Sequence, residues 1–159
     1  YYNLLNRTPE VEILPACGRF GLGVVPYSPV ARGVLTGKYR PGEVLPEGSR
    51  GARKDRRFMQ VEFRQESLVV AQALKERAEA LGVTLGQYAT AWVLHNRLVS
   101  AVIAGPRTLA QWEEYFGALD VSWSAAEEER VDRLVAPGHP STPGYSDPSY
   151  PCLGRQPRV

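Results

Sequence analysis

Ser100-Ala101-Val102-Ile103-Ala104-Gly105-Pro106-Arg107-Thr108-Leu109-Ala110-Gln111 is the stretch that decides the fold. Its first half is an apolar run of strand length without polar alternation, the pattern of a strand covered on both faces. Gly105-Pro106 ends that run. Thr108 and Gln111 then stand three apart as a capping box, whose hydroxyl and amide satisfy free N–H groups at a helix start. A buried strand that turns at once into a capped helix is the joint of a parallel α/β sheet.

Outward from this joint the pattern recurs. Leu22-Gly23-Val24-Val25-Pro26-Tyr27 is a second doubly buried strand candidate, preceded by a short helix around Glu10–Phe20 in which Pro15 is tolerable only near the first turn. Gly18, Gly21 and Gly23 are spaced G-x-x-G-x-G and precede the strand, whereas a dinucleotide fingerprint is spaced G-x-G-x-x-G and follows one. That argues against a doubly wound dinucleotide fold. From Ser28 to about Arg64 the chain reads as a long loop with a basic run at Arg50, Arg53, Lys54, Arg56 and Arg57. Residues 65–81 have apolar positions at helical spacing, and Gly82 stands at the expected C-terminal cap. Two further capping boxes, Thr84 to Gln87 and Ser124 to Glu127, start helices. From Pro137 onward a Pro, Gly, Ser and Tyr-rich tail is an ordered or semi-ordered surface loop. The order is strand, long loop, helix, helix, strand, helix, helix, tail, with a possible strand end at Tyr1-Tyr2. Two and a half strands cannot close a barrel or cover their own edges, so the pattern is part of a sheet.

Composition narrows the function classes. The 159 residues are 43% apolar and 23% charged, with a net charge of +2, an ordinary globular balance and enough chain for one domain with a real core. The balanced charge argues against a nucleic-acid partner, and no apolar run approaches a membrane helix of about 18 residues. Cys17 and Cys152 lie far apart without a ligand set, which suits free thiols, a cytoplasmic location and no metal site. Asn6-Arg7-Thr8 is a chance sequon without a secretory leader. The chain opens at Tyr1 and its one Met is Met59, so a missing front part is expected.

Chemistry concentrates at the two strand ends. After Ile103, Gly105-Pro106-Arg107 places a guanidinium beside the N–H groups and positive dipole end of the next helix, an arrangement suited to phosphate. A plain turn with an exposed Arg would have the same spelling. The other strand also ends in a small polar turn, Tyr27-Ser28-Pro29, followed by Arg32-Gly33 and Lys38. Ligands of α/β sheets gather at the carboxyl ends of strands, so two such ends point to one shared anionic ligand.

Gly23 to Tyr39, read as GVVPYSPVARGVLTGKY, closely resembles the seventh-strand segment of aldo-keto reductases. The likeness continues through Tyr2–Arg7, Gly48-Ser49-Arg50, Ala91-Trp92-Val93-Leu94, Val102–Thr108 and the Pro-Gly-Tyr tail. The resemblance implies the C-terminal strands and helices of a (β/α)8 TIM barrel, a partial barrel spanning 1–159 with its terminal loop at 136–159. It implies NADPH/NADP held at the strand ends, hydride transfer to a small carbonyl substrate in the full barrel, and roles for particular residues. By that likeness Tyr27 stacks on the nicotinamide, while Ser28, Pro29, Val30 and Arg32 form the turn under the pyrophosphate. Lys38 and Arg50 are cations of a loop over the phosphates. Arg107, beyond the Gly105 turn, contacts the 2′-phosphate, with Gln111 and Glu114 beside the adenosine. Tyr115 stands where the family usually has Asn, which leaves the adenine end looser or differently stacked.

The family's catalytic set of Asp, Tyr, Lys and His belongs to the first half of the barrel and matches no residue of this sequence, so no catalytic residue is assigned. His95 and His139 read as surface or loop residues. Two readings follow: the cofactor-binding part of an NADPH-dependent reductase, inactive alone, or a self-associating half-barrel that serves binding or assembly without catalysis. A remnant without independent function is a third.

Overall fold

Helices begin where a side chain can take up free N–H groups, and in the computed structural model, which describes residues 1–150, three of the six α-helices do so at the caps the sequence predicts, Thr84, Thr108 and Ser124. A 3-10 turn at Thr8–Glu10 leads into α1 (Ile13–Phe20), which holds Pro15 in its first turn and stops at left-handed Gly21. The longest helix, α3 (Gln65–Ala80), ends in a Schellman arrangement: Gly82 N–H donates to Glu79 O and Val83 N–H to Ala78 O, both at 3.0 Å. Thr84 and Gln87 complete the capping box of α4 (Leu85–Leu94) in both directions, at 3.1 and 3.0 Å.

The other two boxes close only by half. Thr108 accepts from Gln111 N–H at 3.2 Å to start α5 (Leu109–Gly117), but the Gln111 amide oxygen accepts from Arg107 N–H at 2.8 Å, one residue earlier than a box requires. Ser124 likewise caps α6 (Ala125–Leu134), while the Glu127 carboxylate turns inward to accept from Arg77 Nε at 3.0 Å and from the Tyr88 hydroxyl at 3.0 Å. A buried, charge-assisted pairing outweighs an exposed cap.

The long loop predicted from Ser28 to Arg64 contains two ordered pieces. Residues Ala31–Thr36 form a tight 3-10 turn, and α2 (Arg56–Val61) is capped by Asp55, which accepts from Phe58 N–H at 2.8 Å. Phe58 packs with Tyr39 and Phe63, ring centroids 5.0 and 5.4 Å away, so aromatic burial holds a helix too short to stand alone.

The two predicted strands run side by side in parallel. Ser100 N–H donates to Val24 O and Ile103 N–H to Pro26 O, each at 2.8 Å, with a parallel bridge between Tyr27 and Ile103. Among the described residues the pairing does not extend into a continuous ladder, and Pro26 has no N–H to lengthen it. Double burial is corrected: Val24, Pro26, Val102 and Ala104 turn toward the helices, whereas Val25 and Ile103 are 51% and 55% exposed on the opposite face. The side chains alternate because one layer, and not two, covers this pair.

The core lies between α3, α4 and the 31–36 turn, where Val34, Leu35, Leu74, Tyr88 and Val93 are fully buried together with Leu4 and Leu5. The tail returns across it. Arg57 pairs with Asp147 through 2.6 and 3.0 Å bonds, Arg64 Nε donates to Thr142 at 2.7 Å, and the Arg64 guanidinium lies 3.8 Å from the Tyr145 ring centre. Cys17 is a free, half-buried thiol; Cys152 and the end of the predicted tail lie outside the described residues. Among those residues no helix is long and apolar enough to cross a membrane.

Candidate functional site

The chain between Ser28 and Gly33 is bent by residues in the left-handed region: Ser28 at φ +60°, Ala31 at +46°, Arg32 at +49° and Gly33 at +105°. Only glycine adopts that conformation without cost, so three non-glycine residues there store strain, a feature of ligand-binding turns. The surroundings hold the bend in place. Asn3 Nδ2 donates to Ser28 O at 3.0 Å, Gly33 N–H to Val30 O at 2.8 Å, and Thr36 Oγ1 to Gly33 O at 2.8 Å.

This turn forms one wall of a cleft of about 300 Å³, the wall carrying Val30, Arg32, Gly33 and Thr36, with Lys38 and Arg50 at its rim. The opposite wall is the joint after the second extended segment: Gly105, Arg107 and the α5 residues Gln111, Glu114 and Tyr115. Gly86, in the first turn of α4, closes the space between them. A methyl group on Gly86 would meet Glu114 Oε1 at 2.9 Å, so the Glu114 carboxylate reaches close against the first turn of α4.

Four cations and one carboxylate line the cleft, a strongly positive concavity. Two of the cations are partly compensated: Arg32 Nε lies 3.4 Å from Glu62 Oε1, and Arg50 Nη1 lies 3.4 Å from Asp55 Oδ2. Lys38 and Arg107, on facing walls, have no carboxylate partner among the described residues. Lys38 Nζ sits 5.3 Å from the Tyr39 ring centre. Glu114 accepts a 2.6 Å hydrogen bond from Thr84 Oγ1, which holds its carboxylate toward α4. Burial, with Glu114 beside it, raises the Tyr115 hydroxyl above its ordinary range, against a backbone hydrogen bond at Gly105.

The sequence-derived residues thus divide in two. Val30, Arg32, Lys38, Arg50, Gly105, Arg107, Gln111, Glu114 and Tyr115 meet in one cleft although they are spread along the chain from position 30 to position 115. Tyr27, Ser28 and Pro29 do not line it: Pro29 is buried, and the Tyr27 ring lies on the open face of the paired segments, 5.7 Å from the Tyr1 ring. Gly33, Thr36 and Gly86 join without having been singled out. The Arg32-Gly33 pair and the box at Thr84 marked two of them locally, but only the fold brings α4 to the cleft. His95 bonds Val121 O at 3.0 Å through Nε2, and His139 bonds Pro137 O at 2.8 Å through Nδ1; both are outside the cleft.

The fold class and this cleft define an α/β protein with a positively charged concavity at the ends of parallel segments, and comparison with known proteins gives the family. A family model described as the aldo/keto reductase family matches residues 1–136, and the chain belongs to that family. It is 41% identical over 137 residues to a probable voltage-gated potassium channel subunit beta of Oryza sativa subsp. japonica, covering 85% of this chain and 41% of that protein. It is 32% identical over 130 residues to an NADP(+) aldo-keto reductase of Schizosaccharomyces pombe, covering 82% of this chain and 38% of that one. Among solved structures, the glycerol dehydrogenase of Gluconobacter oxydans matches 95% of this chain and 44% of its own with a TM-score of 0.72 at 26% identity. The chain spans about two fifths of the length of these relatives.

Proposed function

We propose that this chain is the cofactor-binding, C-terminal part of an NADPH-dependent aldo-keto reductase barrel. The observation that carries the reading is the pair of uncompensated cations, Lys38 and Arg107, on facing walls of one cleft. A dinucleotide carries phosphates at two separated places, which is the spacing of charge such a cleft suits. Arg107 would take the 2′-phosphate, with Gln111, Glu114 and Tyr115 around the adenosine. Lys38, Arg50 and Arg32, with the turn from Ser28 to Val30, would hold the pyrophosphate. The nicotinamide would then extend past the cleft toward the open face, where the Tyr27 ring is exposed beside Tyr1. When bound, the cofactor supplies hydride to a small carbonyl substrate. That the Schizosaccharomyces pombe relative is named for NADP(+) supports this choice.

Arg107→Ala tests it by fluorescence titration. The variant should bind NADPH about 10- to 100-fold more weakly, the loss of one charge-assisted contact, and NADH nearly unchanged. Equal losses for both nucleotides would remove Arg107 from the 2′-phosphate.

A second reading is a self-associating half-barrel used for binding or assembly. The exposed face of Val25, Tyr27 and Ile103, with Leu109, Trp112 and Phe116 exposed along one side of α5, favours a chain that covers itself with another. Sedimentation separates a lone 17.6 kDa species from an assembly.

A further inference from the structure

The strained turn at Arg32 has a second partner besides the cleft. Glu62, the residue after α2, has its side chain wholly buried, and among the described residues neither of its carboxylate oxygens accepts a hydrogen bond. Its one ion contact is the 3.4 Å approach of Arg32 Nε, and Arg32 is in turn a cleft-lining residue with no other ion partner among the described residues. A buried carboxylate without hydrogen bonds is costly to keep charged, whereas one against a guanidinium is tolerated. The Arg32 charge is therefore shared between a buried acid on one side and the cleft on the other.

We infer that Glu62 is a positioning residue whose protonation releases Arg32 to a cleft-bound phosphate, so that dinucleotide binding takes up a proton from solvent at the Glu62 carboxylate. This rests on the cofactor reading above. An anion seated on Arg32 brings negative charge toward the Glu62 carboxylate and competes for the same guanidinium, and both effects favour the neutral acid. The proton adds to a Glu62 oxygen to give the uncharged carboxylic acid; no other bond changes. The groups facing Glu62 are Tyr1 from the first segment, Arg32 from the strained turn, Arg57 from α2 and Arg64 from the start of α3. Burial nevertheless pushes the carboxyl up to about 7, against the pull of Arg32, the Tyr1 hydroxyl, Arg64 and Arg57, so the proton is exchangeable near neutral pH. Asp55 and Asp147, which pair with Arg50 and Arg57, also sense the Arg32 charge but are held below the ordinary carboxylate value, chiefly by the hydrogen bonds from Phe58 N–H and from Arg57, and stay ionised.

NADPH affinity of the whole chain, measured from pH 6 to 8.5 for wild type and Glu62→Gln, tests the coupling. Taking the ratio of the two profiles cancels the ionisation of the 2′-phosphate itself. The neutral isostere should match wild type at pH 6 and bind about three- to tenfold more tightly at pH 8.5. Calorimetry of the wild type at pH 7.5 in two buffers of different ionisation enthalpy gives the proton uptake directly and does not depend on the variant folding. A constant ratio with no uptake, or a Glu62→Gln chain weaker at every pH with its melting temperature intact, would overturn the inference while leaving the cofactor site standing. Absence of NADPH binding by the wild type at all pH values would overturn the site and this coupling together.

Discussion

At Glu62 the cost of burial is larger than the attraction of the cations around it, and stability should record that balance. The folded-state value near 7 lies above the ordinary 4.5, so between those limits the native chain holds more protons than the unfolded one. Stability from this group is present at low pH and is lost as pH rises through about 7. Glu62→Gln should therefore melt higher than wild type at pH 8, by roughly 2–8 °C, with the gap closing toward pH 5. A variant melting lower at both pH values would show that the Arg32 contact outweighs the burial. Glu127 has the opposite sign. Its hydrogen bonds from Arg77, helped by Tyr88, hold its carboxyl below the usual range, so its contribution is present at neutral pH and lost on acidification below about pH 4.5. Gly33→Ala puts a Cβ at φ +105°, where Lys38 Cε and Nζ at 3.4 Å leave room but the backbone does not. Urea unfolding should show a loss of about 1 kcal/mol or more.

Elements whose ends are satisfied locally were legible. Thr84 with Gln87, Gly82 after Ala80 and Pro15 in a first turn are decided by residues within one turn of each other, and α1, α3 and α4 follow. Thr84→Ala should cost about 1 kcal/mol in thermal unfolding, as an N-cap removed. Elements decided at a distance were not legible: α2 depends on Phe58 finding Tyr39 and Phe63 and on Arg57 finding Asp147 ninety residues on. An apolar run also cannot say whether one layer or two will cover it, which is why Val25 and Ile103 read as buried and are exposed. The site divides along the same line. The cations Arg32, Lys38, Arg50 and Arg107 stand beside turns that the sequence marks, whereas Gly86 enters from another helix and Glu62 is set apart only by its burial in the fold.

For the molecule as a whole, the uncovered face and the empty catalytic assignment lead to the same expectation. Hydride delivery leaves negative charge on the carbonyl oxygen, and a positioned acid to meet it is commonly worth about 10²–10⁴ in rate. Under the proposed cofactor reading the Tyr27 ring would lie against the nicotinamide and could not also aim its hydroxyl at the carbonyl oxygen. The 159-residue chain by itself should show no NADPH-dependent reduction of simple aldehydes above background. Turnover abolished by one Tyr substitution within it would contradict this. The tail adds a time scale. Asp147 grips Arg57 in α2, Asp55 at the head of α2 grips Arg50, and Arg50 is part of the cleft rim. A six-residue helix has little hold of its own, so the lifetime of that rim depends on the 141–150 segment that carries Asp147. Amide hydrogens of 56–61 should exchange together with those of the tail and well ahead of α3, and a protease nick after Tyr145 should quicken the first group while leaving the second as slow as before.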